Sequence, residues 1–300
     1  MRSPVLALAV LSALALIGCQ QTLPFGGKPR TKEETKFAVV SLSPSTTELA
    51  YAATYSVPLK GRTDACDFPV TAAKIPIVVH NTKIDYEMLN GIKPDLVIYD
   101  PALYSDAEVE KIKQTGAEMM PFTAKNLEEY EAYIRKLCVL VGGETNASEY
   151  IDKVYGAREI ALSGVKGRDV KAMVLMGGKG GDHMAVGTES MLGDLVKESG
   201  GHLIGPKGDK FVPINIEEVI NGDPDIIFCP DDSYDAISKD PRLANLRVVK
   251  EKRVLPVKAD VLLRVGSRVD TLIAAFGAEL RRAADDHDVA KSSKPAAVGQ

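Results

Sequence analysis

"YEMLNGIKPDLVIYD", Tyr86 to Asp100, has a near-copy later in the chain: "IEEVINGDPDIIFCPD", Ile216 to Asp231. With Glu87 set on Glu217, an offset of 130 residues, Pro94-Asp95 falls on Pro224-Asp225. In both copies the glutamate stands seven residues before the proline, and a branched apolar run follows the aspartate. A short helical pattern, a proline stop and a β-forming run make a helix-to-strand unit. A chain that carries this unit twice predicts two lobes of like construction.

The flanking sequence extends the pattern. Strand-like runs at Phe37–Leu42, Val57–Arg62, Ile75–His80, Leu96–Tyr99 and Glu118–Phe122 alternate with helical patterns at Tyr86–Gly91, Ser105–Thr115 and Leu127–Leu140. A helix starts after "SLSP", where Ser45 and Glu48 have the S-x-x-E spacing of a capping box. From Val170 the alternation restarts, with strands at Val170–Gly177, Met184–Thr188, Ile226–Pro230 and Arg253–Val257, and helices at Met191–Ser199, Ile216–Asn221 and Val269–Arg281. Alternating strands and helices predict parallel, helix-covered sheets. The fold class is therefore α/β: two Rossmann-like lobes, with the ligand cleft between them.

The lobes are read as residues 37–143 and 167–283, and residues 144–166 as a helix linking them. There Asn146 and Glu149 are spaced as a second capping box, Ile151, Val154, Ala157 and Ala161 recur at helical spacing, and Gly164 and Gly167 mark the end. Such a helix, roughly 18 residues and about 27 Å long, is a single rigid strut. Residues 284–300 are polar, rich in small residues, and read as a disordered tail.

At the other end, "MRSPVLALAVLSALALIGCQQ" places Arg2 before an apolar run from Val5 to Ile17 that is short for a membrane span. "LIGC", Leu16 to Cys19, resembles the bacterial lipobox, which implies that residues 1–18 are a lipoprotein signal peptide and Cys19 the lipid-bearing residue; residues 19–36 read as a flexible tether. The location expected is a bacterial cell envelope, lipid-anchored and facing the periplasm or the exterior.

Composition narrows the function. The chain has 300 residues, 45% hydrophobic and 26% charged, with net charge −4. That balance, and the absence of a basic block, excludes a nucleic-acid binder. Cys66, Cys138 and Cys229 lack CxxC spacing, and Cys138 and Cys229 sit in apolar surroundings as buried thiols. "GTESMLGD" is not G-x-S-x-G, so no nucleophile elbow appears, and Asp182, His183 and Ser190 make only an incidental trio. "GGKGGDH" at Gly177–His183 lacks both phosphate-loop and dinucleotide spacing and reads as a flexible loop at the cleft rim. No enzyme and no bound cofactor is expected.

Six phrases stand in order: "VVSLSPSTTELAYA", "GRTDACDFP", "EMLNGIKPDLVIY", "AVGTESMLGDLVKESGGHLI", "EEVINGDPDIIF" and "RVLPVKADVLLRVGSRV". Together with the single linking helix they resemble the helical-backbone class of ABC-transporter substrate-binding proteins, the receptors for cobalamin, ferric siderophores and haem. "SLSPSTTE" with "GRTDACDFP" looks most like the cobalamin branch. The resemblance implies a monomeric, membrane-anchored receptor that captures a metal chelate, a corrinoid first and a ferric siderophore or haem as the alternative. It delivers that chelate to permease subunits with their ATPase. A hydrolytic enzyme is the remaining rival. The resemblance also implies that Glu87 and Glu217, one per lobe, dock on permease arginines.

Ligands of open α/β sheets lie beyond the carboxyl ends of the strands. That rule selects the loops holding Ser45, Asp67, Phe68 and Tyr104 in the first lobe, and His183, Tyr234 and Arg264 in the second. Phe68, Tyr104 and Tyr234 offer flat apolar area, Arg264 a partner for a carboxylate, amide or phosphate, and His183 an axial ligand to a chelated metal. The chain has no tryptophan, which departs from the tryptophan-rich cleft of the cobalamin branch.

Overall fold

The computed structural model describes residues 37–178 and 182–292, and from Phe37 onward the chain forms one compact unit. The first sheet has six strands: β1 (Val39–Ser41), β2 (Leu59–Thr63), β3 (Ile77–His80), β4 (Lys83–Ile84), β5 (Leu96–Tyr99) and β6 (Glu118–Pro121). Their order is β4-β3-β2-β1-β5-β6, parallel except for the antiparallel β3–β4 pair. Val39, Val40, Leu96, Val97 and Ile98 are all buried, the continuous apolar pattern of strands covered on both faces. The cover comes from α1 (Pro44–Ala53), α2 (Tyr86–Ile92), α3 (Asp106–Lys113) and α4 (Leu127–Val141).

One helix, α5 (Glu144–Val165), leads into the second lobe. Its 22 residues rise about 33 Å. The second sheet holds β7 (Lys171–Gly177), β8 (His183–Val186), β9 (His202–Leu203), β10 (Phe211–Ile214), β11 (Ile226–Pro230) and β12 (Val254–Val257). Its order is β10-β8-β7-β11-β12, with β9 beside the start of β7. The β7, β11 and β12 core is parallel, and β8 and β10 add antiparallel edges. Around it lie α6 (Met191–Glu198), α7 (Ile216–Gly222), α8 (Tyr234–Ser238), α9 (Arg247–Lys250), α10 (Ala259–Leu262) and α11 (Val269–Ser292).

The repeated unit is the same object in both lobes. Asp85 caps α2 by accepting from Met88 N, and Asn215 caps α7 by accepting from Glu217 N. Leu89 and Val219 are the buried residues of these helices. Each helix ends on a left-handed residue, Lys93 at φ 51° and Asp223 at φ 42°, just before the proline that cannot continue it. Asp95 then latches the entry to β1, accepting from Ala38 N at 2.9 Å, and Asp225 latches β7, accepting from Lys171 N at 2.8 Å.

Several local expectations need correction. Ser45 and Glu48 do not form a capping box: Ser43 caps α1 through Thr46 N, with Pro44 in the first turn, and the Glu48 carboxylate is drawn to Arg268 instead. Asn146 lies inside α5, which begins after Gly143, so Asn146 and Glu149 are not a box either, and Glu149 accepts from Tyr55 Oη. Gly164 is likewise inside the helix, and Gly167 at φ 77° lies beyond it. The stretch from residue 284, read as a disordered tail, is helical as far as Ser292. The helix runs on to Ser292 because Ala283 and Ala284 are buried, and because Asp285 pairs with Arg168 and Asp286 with Arg253. Residues 293–300, the signal segment with Cys19, and residues 179–181 of the glycine-rich loop lie outside the described residues.

Candidate functional site

In the first sheet the strand order reverses at β1, so the crevice between the carboxyl ends of β1 and β5 is the ligand-prone position. Asp100, Pro101 and Ala102 leave β5 there, and Phe122 to Lys125 leave β6 beside them. Facing them from the second lobe are Val186 and Phe211 on the antiparallel edge, Ser190 to Leu192 at the start of α6, and Leu262 to Val265 after β12. Together they wall a cavity of about 390 Å³. That is within the range of about 300–1,000 Å³ usual for small-molecule sites. Phe122 and Phe211 supply flat surface, with Met191, Leu192, Leu262 and Leu263 as aliphatic wall. Phe68, Leu103 and Leu263 are exposed large apolar residues in or next to these segments.

Charged groups pair across the lobes around this cavity. Lys125 Nζ lies 2.9 Å from Asp209 Oδ2, and the pairing pushes the Asp209 carboxyl down and the Lys125 ammonium up. Asp67 of the first lobe pairs with Arg264 of the second, through Nη1 and, at 3.4 Å, through Nη2. The bond to Arg264 holds the Asp67 carboxyl below its ordinary range, against the opposing effect of desolvation.

Deeper in, Glu48 is buried and fully engaged. It accepts from Ser267 N at 3.0 Å, Arg268 Nε at 3.2 Å and Arg268 Nη2 at 2.6 Å. Arg268 also binds Asp260 at 2.6 Å, which lowers that carboxyl, and its guanidinium lies 4.7 Å from the centre of the Phe68 ring. Gly266 makes this possible, because a Cβ there would stand 2.4 Å from Glu48 Oε2. Tyr130 donates to Gly266 O at 2.7 Å, and Leu127 N donates to Asp194 Oδ2 at 2.9 Å. The segment Gly266-Ser267-Arg268 is thus one buried fastening between the lobes. Removing one partner of a buried ion pair costs about 3–5 kcal/mol, because the other is left unpaired.

Periplasmic binding protein is the description of the family that matches residues 39–261. The chain belongs to this family. The chain spans only about a third of the length of several curated relatives that it matches. It is 34% identical over 99 residues to a vitamin B12-binding protein of Vibrio vulnificus, a match covering 33% of this chain and 36% of that protein. Among solved structures it resembles the periplasmic vitamin B12 binding protein BtuF of Vibrio cholerae, with TM-score 0.69 and 23% identity, covering 82% of this chain and 97% of that one. The periplasmic haem-binding protein HutB of Vibrio cholerae matches with TM-score 0.70 and 16% identity, covering 81% and 98%. At these identities the solved structures speak for the fold alone.

In this binding protein the residues predicted from sequence are not all brought together. Arg264 lines the cavity and Asp67 is paired to it. Phe68 stands beside Arg268, partly exposed. Four others do not wall the cavity, and each has a structural engagement. Ser45 is buried in α1, its Oγ 3.0 Å from Ser43 Oγ. Tyr104 donates its hydroxyl to Leu42 O at 2.5 Å, and burial raises its pKa strongly. His183 is buried with Nε2 2.8 Å from Asp240 Oδ2, and Asp240 is held far below the usual carboxylate range, mainly by Arg242. Tyr234 starts α8 and packs on the core of the second lobe. Gly177, Gly178, Asp182 to Met184 and Asp231 to Tyr234 are not among the described residues that wall the cavity, whereas the segment after β12 is.

Sequence reading missed Phe122, Lys125, Met191, Asp209 and Phe211. The β6 end was available to the strand-end rule, whereas Asp209 and Phe211 enter through an edge strand that the rule does not cover. Glu87 and Glu217 are both exposed, each at the second residue of its helix. Among the described residues no helix is long and apolar enough to cross a membrane, and no three His, Cys, Asp or Glu side chains form a metal-ligand group.

Proposed function

We propose that the cavity between the lobes captures a bulky metal chelate, a corrinoid such as cobalamin first, for delivery to an ABC importer. The observation that carries the reading is the wall itself: an apolar surface built by both lobes, with two phenyl rings and an arginine and a lysine on its edge. A large amide-fringed macrocycle is held in such a site by stacking and peripheral hydrogen bonds. The similarity to a vitamin B12-binding protein supports the corrinoid, over the third of the chain that it covers. Arg264 and Lys125 favour haem as a second reading, because its propionates suit a guanidinium and an ammonium. Calorimetry with cobalamin, cobinamide, haem and ferric siderophores separates these. Saturable corrinoid binding is expected, and a ligand at a hundred times its dissociation constant raises stability by about 2.7 kcal/mol. Siderophore or haem binding without a corrinoid signal reverses the order, and no binding by any of them ends the reading.

The mature protein is further proposed to be lipid-anchored through Cys19, on the strength of "LIGC" after an apolar run. Cys19→Ser should lose palmitate label and membrane association together. Association retained without label would refute the anchor.

A further inference from the structure

Of the two inter-lobe arginines beside the cavity, one is fixed and the other is only latched. Arg268 is gripped by buried Glu48 and by Asp260. Arg264 also lines the cavity, and its Nη1 is 4.0 Å from Glu48, whose oxygens already serve Ser267 and Arg268. The carboxylate that bonds to Arg264 is Asp67, on the loop after β2, with its side chain 64% exposed. The geometry points to Asp67 as a stand-in for an acidic group of the ligand, holding Arg264 across the cleft until a carboxylate or phosphate on the ligand displaces it. This rests on reading the cavity as the ligand cleft.

The consequence is selectivity. A small free anion meets an arginine already satisfied and gains little by exchanging with Asp67. A ligand that also fills the apolar cavity supplies the surplus that drives the exchange. An exposed pair of this kind is individually weak, which is what makes it exchangeable. Glu48 does not fit this role, because it is buried and already bonded to Ser267 N and Arg268.

The test compares the wild-type protein, Asp67→Asn and the charge-preserving Asp67→Glu, with unliganded thermal midpoints as the check on folding. The probes are two pairs that differ in an acidic group: haem with its dimethyl ester, and cobalamin, which has a phosphodiester, with cobinamide, which lacks it. In whichever pair binds, Asp67→Asn should tighten the member that carries the acidic group about fivefold relative to the member that lacks it, the worth of one exposed ion pair. Asp67→Glu should stay near wild type. Equal changes in both members, no change, or weaker binding of the acidic member overturns the proposal. If no probe binds any of the proteins, the chelate reading fails and the latch is judged separately. Inorganic phosphate should then shift the Arg264 side-chain NMR signal at about fivefold lower concentration in Asp67→Asn. Equal concentrations in both proteins would overturn the latch.

Discussion

Asp95 and Asp225 do one job in two places. Each follows a helix-stopping proline and ties the neighbouring central strand to its own through a backbone N–H. Arg247 also binds Asp225. Charge-assisted hydrogen bonds of this kind contribute about 1.5–3 kcal/mol. Asp95→Asn and Asp225→Asn, which keep an acceptor oxygen, are therefore each expected to lose about 1 kcal/mol or more. Urea unfolding of the two variants checks this, and negligible losses in both would show that the latch is incidental. The Pro-Asp pair was legible in the sequence because its chemistry is local and occurs twice. Most of the site was not. His183 meets Asp240 57 positions away, and Arg264 meets Asp67 at a separation of 197. No local pattern records such partners, so residues chosen for their chemistry, such as Tyr104 and His183, turned out to be committed elsewhere.

Elements with a strong apolar period were legible to within a few residues, as β5, β11 and α4 show. What escaped were the short edges β4, β9 and β10, whose two to four residues are held by pairing rather than by propensity. Both supposed capping boxes failed for a related reason: a glutamate three residues after a Ser or Asn is equally free to bond across the fold, and Glu48 and Glu149 do so. The contact between α5 and α11 has its own signature, a glycine against an alanine. A Cβ on Gly277 would stand 2.4 Å from Ala161 Cβ, whereas one on Gly156 would meet nothing within 4 Å. Gly277→Ala forces the helices apart, and overpacking of this kind costs about 1–3 kcal/mol. Gly156→Ala removes a helix-interior glycine with no clash and should stabilise by about 0.5–1 kcal/mol. Thermal unfolding of the pair reads opposite signs. The same sign in both would show that the α5–α11 spacing adjusts freely.

At the scale of the molecule, two copies of one helix-strand unit present Glu87 and Glu217 in the first turns of matching seven-residue helices, one in each lobe. We propose that these glutamates dock the receptor on the two permease subunits, since a receptor with like lobes facing a paired partner needs one anchor on each. The competing explanation is local: a carboxylate in the first turn favours the helix by about 0.3–1 kcal/mol, whatever it faces. Charge reversal separates the two. Glu87→Lys and Glu217→Lys should each leave ligand affinity unchanged and shift stability only by that small helix-end contribution, because both residues are exposed and neither lines the cavity. Association with the transporter should slow, most at low salt, since exposed charges steer encounter and are screened over about 8–10 Å at physiological ionic strength. The double variant should bind ligand normally and fail to support uptake. Normal uptake by that variant would leave the repeated glutamate as a first-turn trace of common lobe construction, with no part in docking.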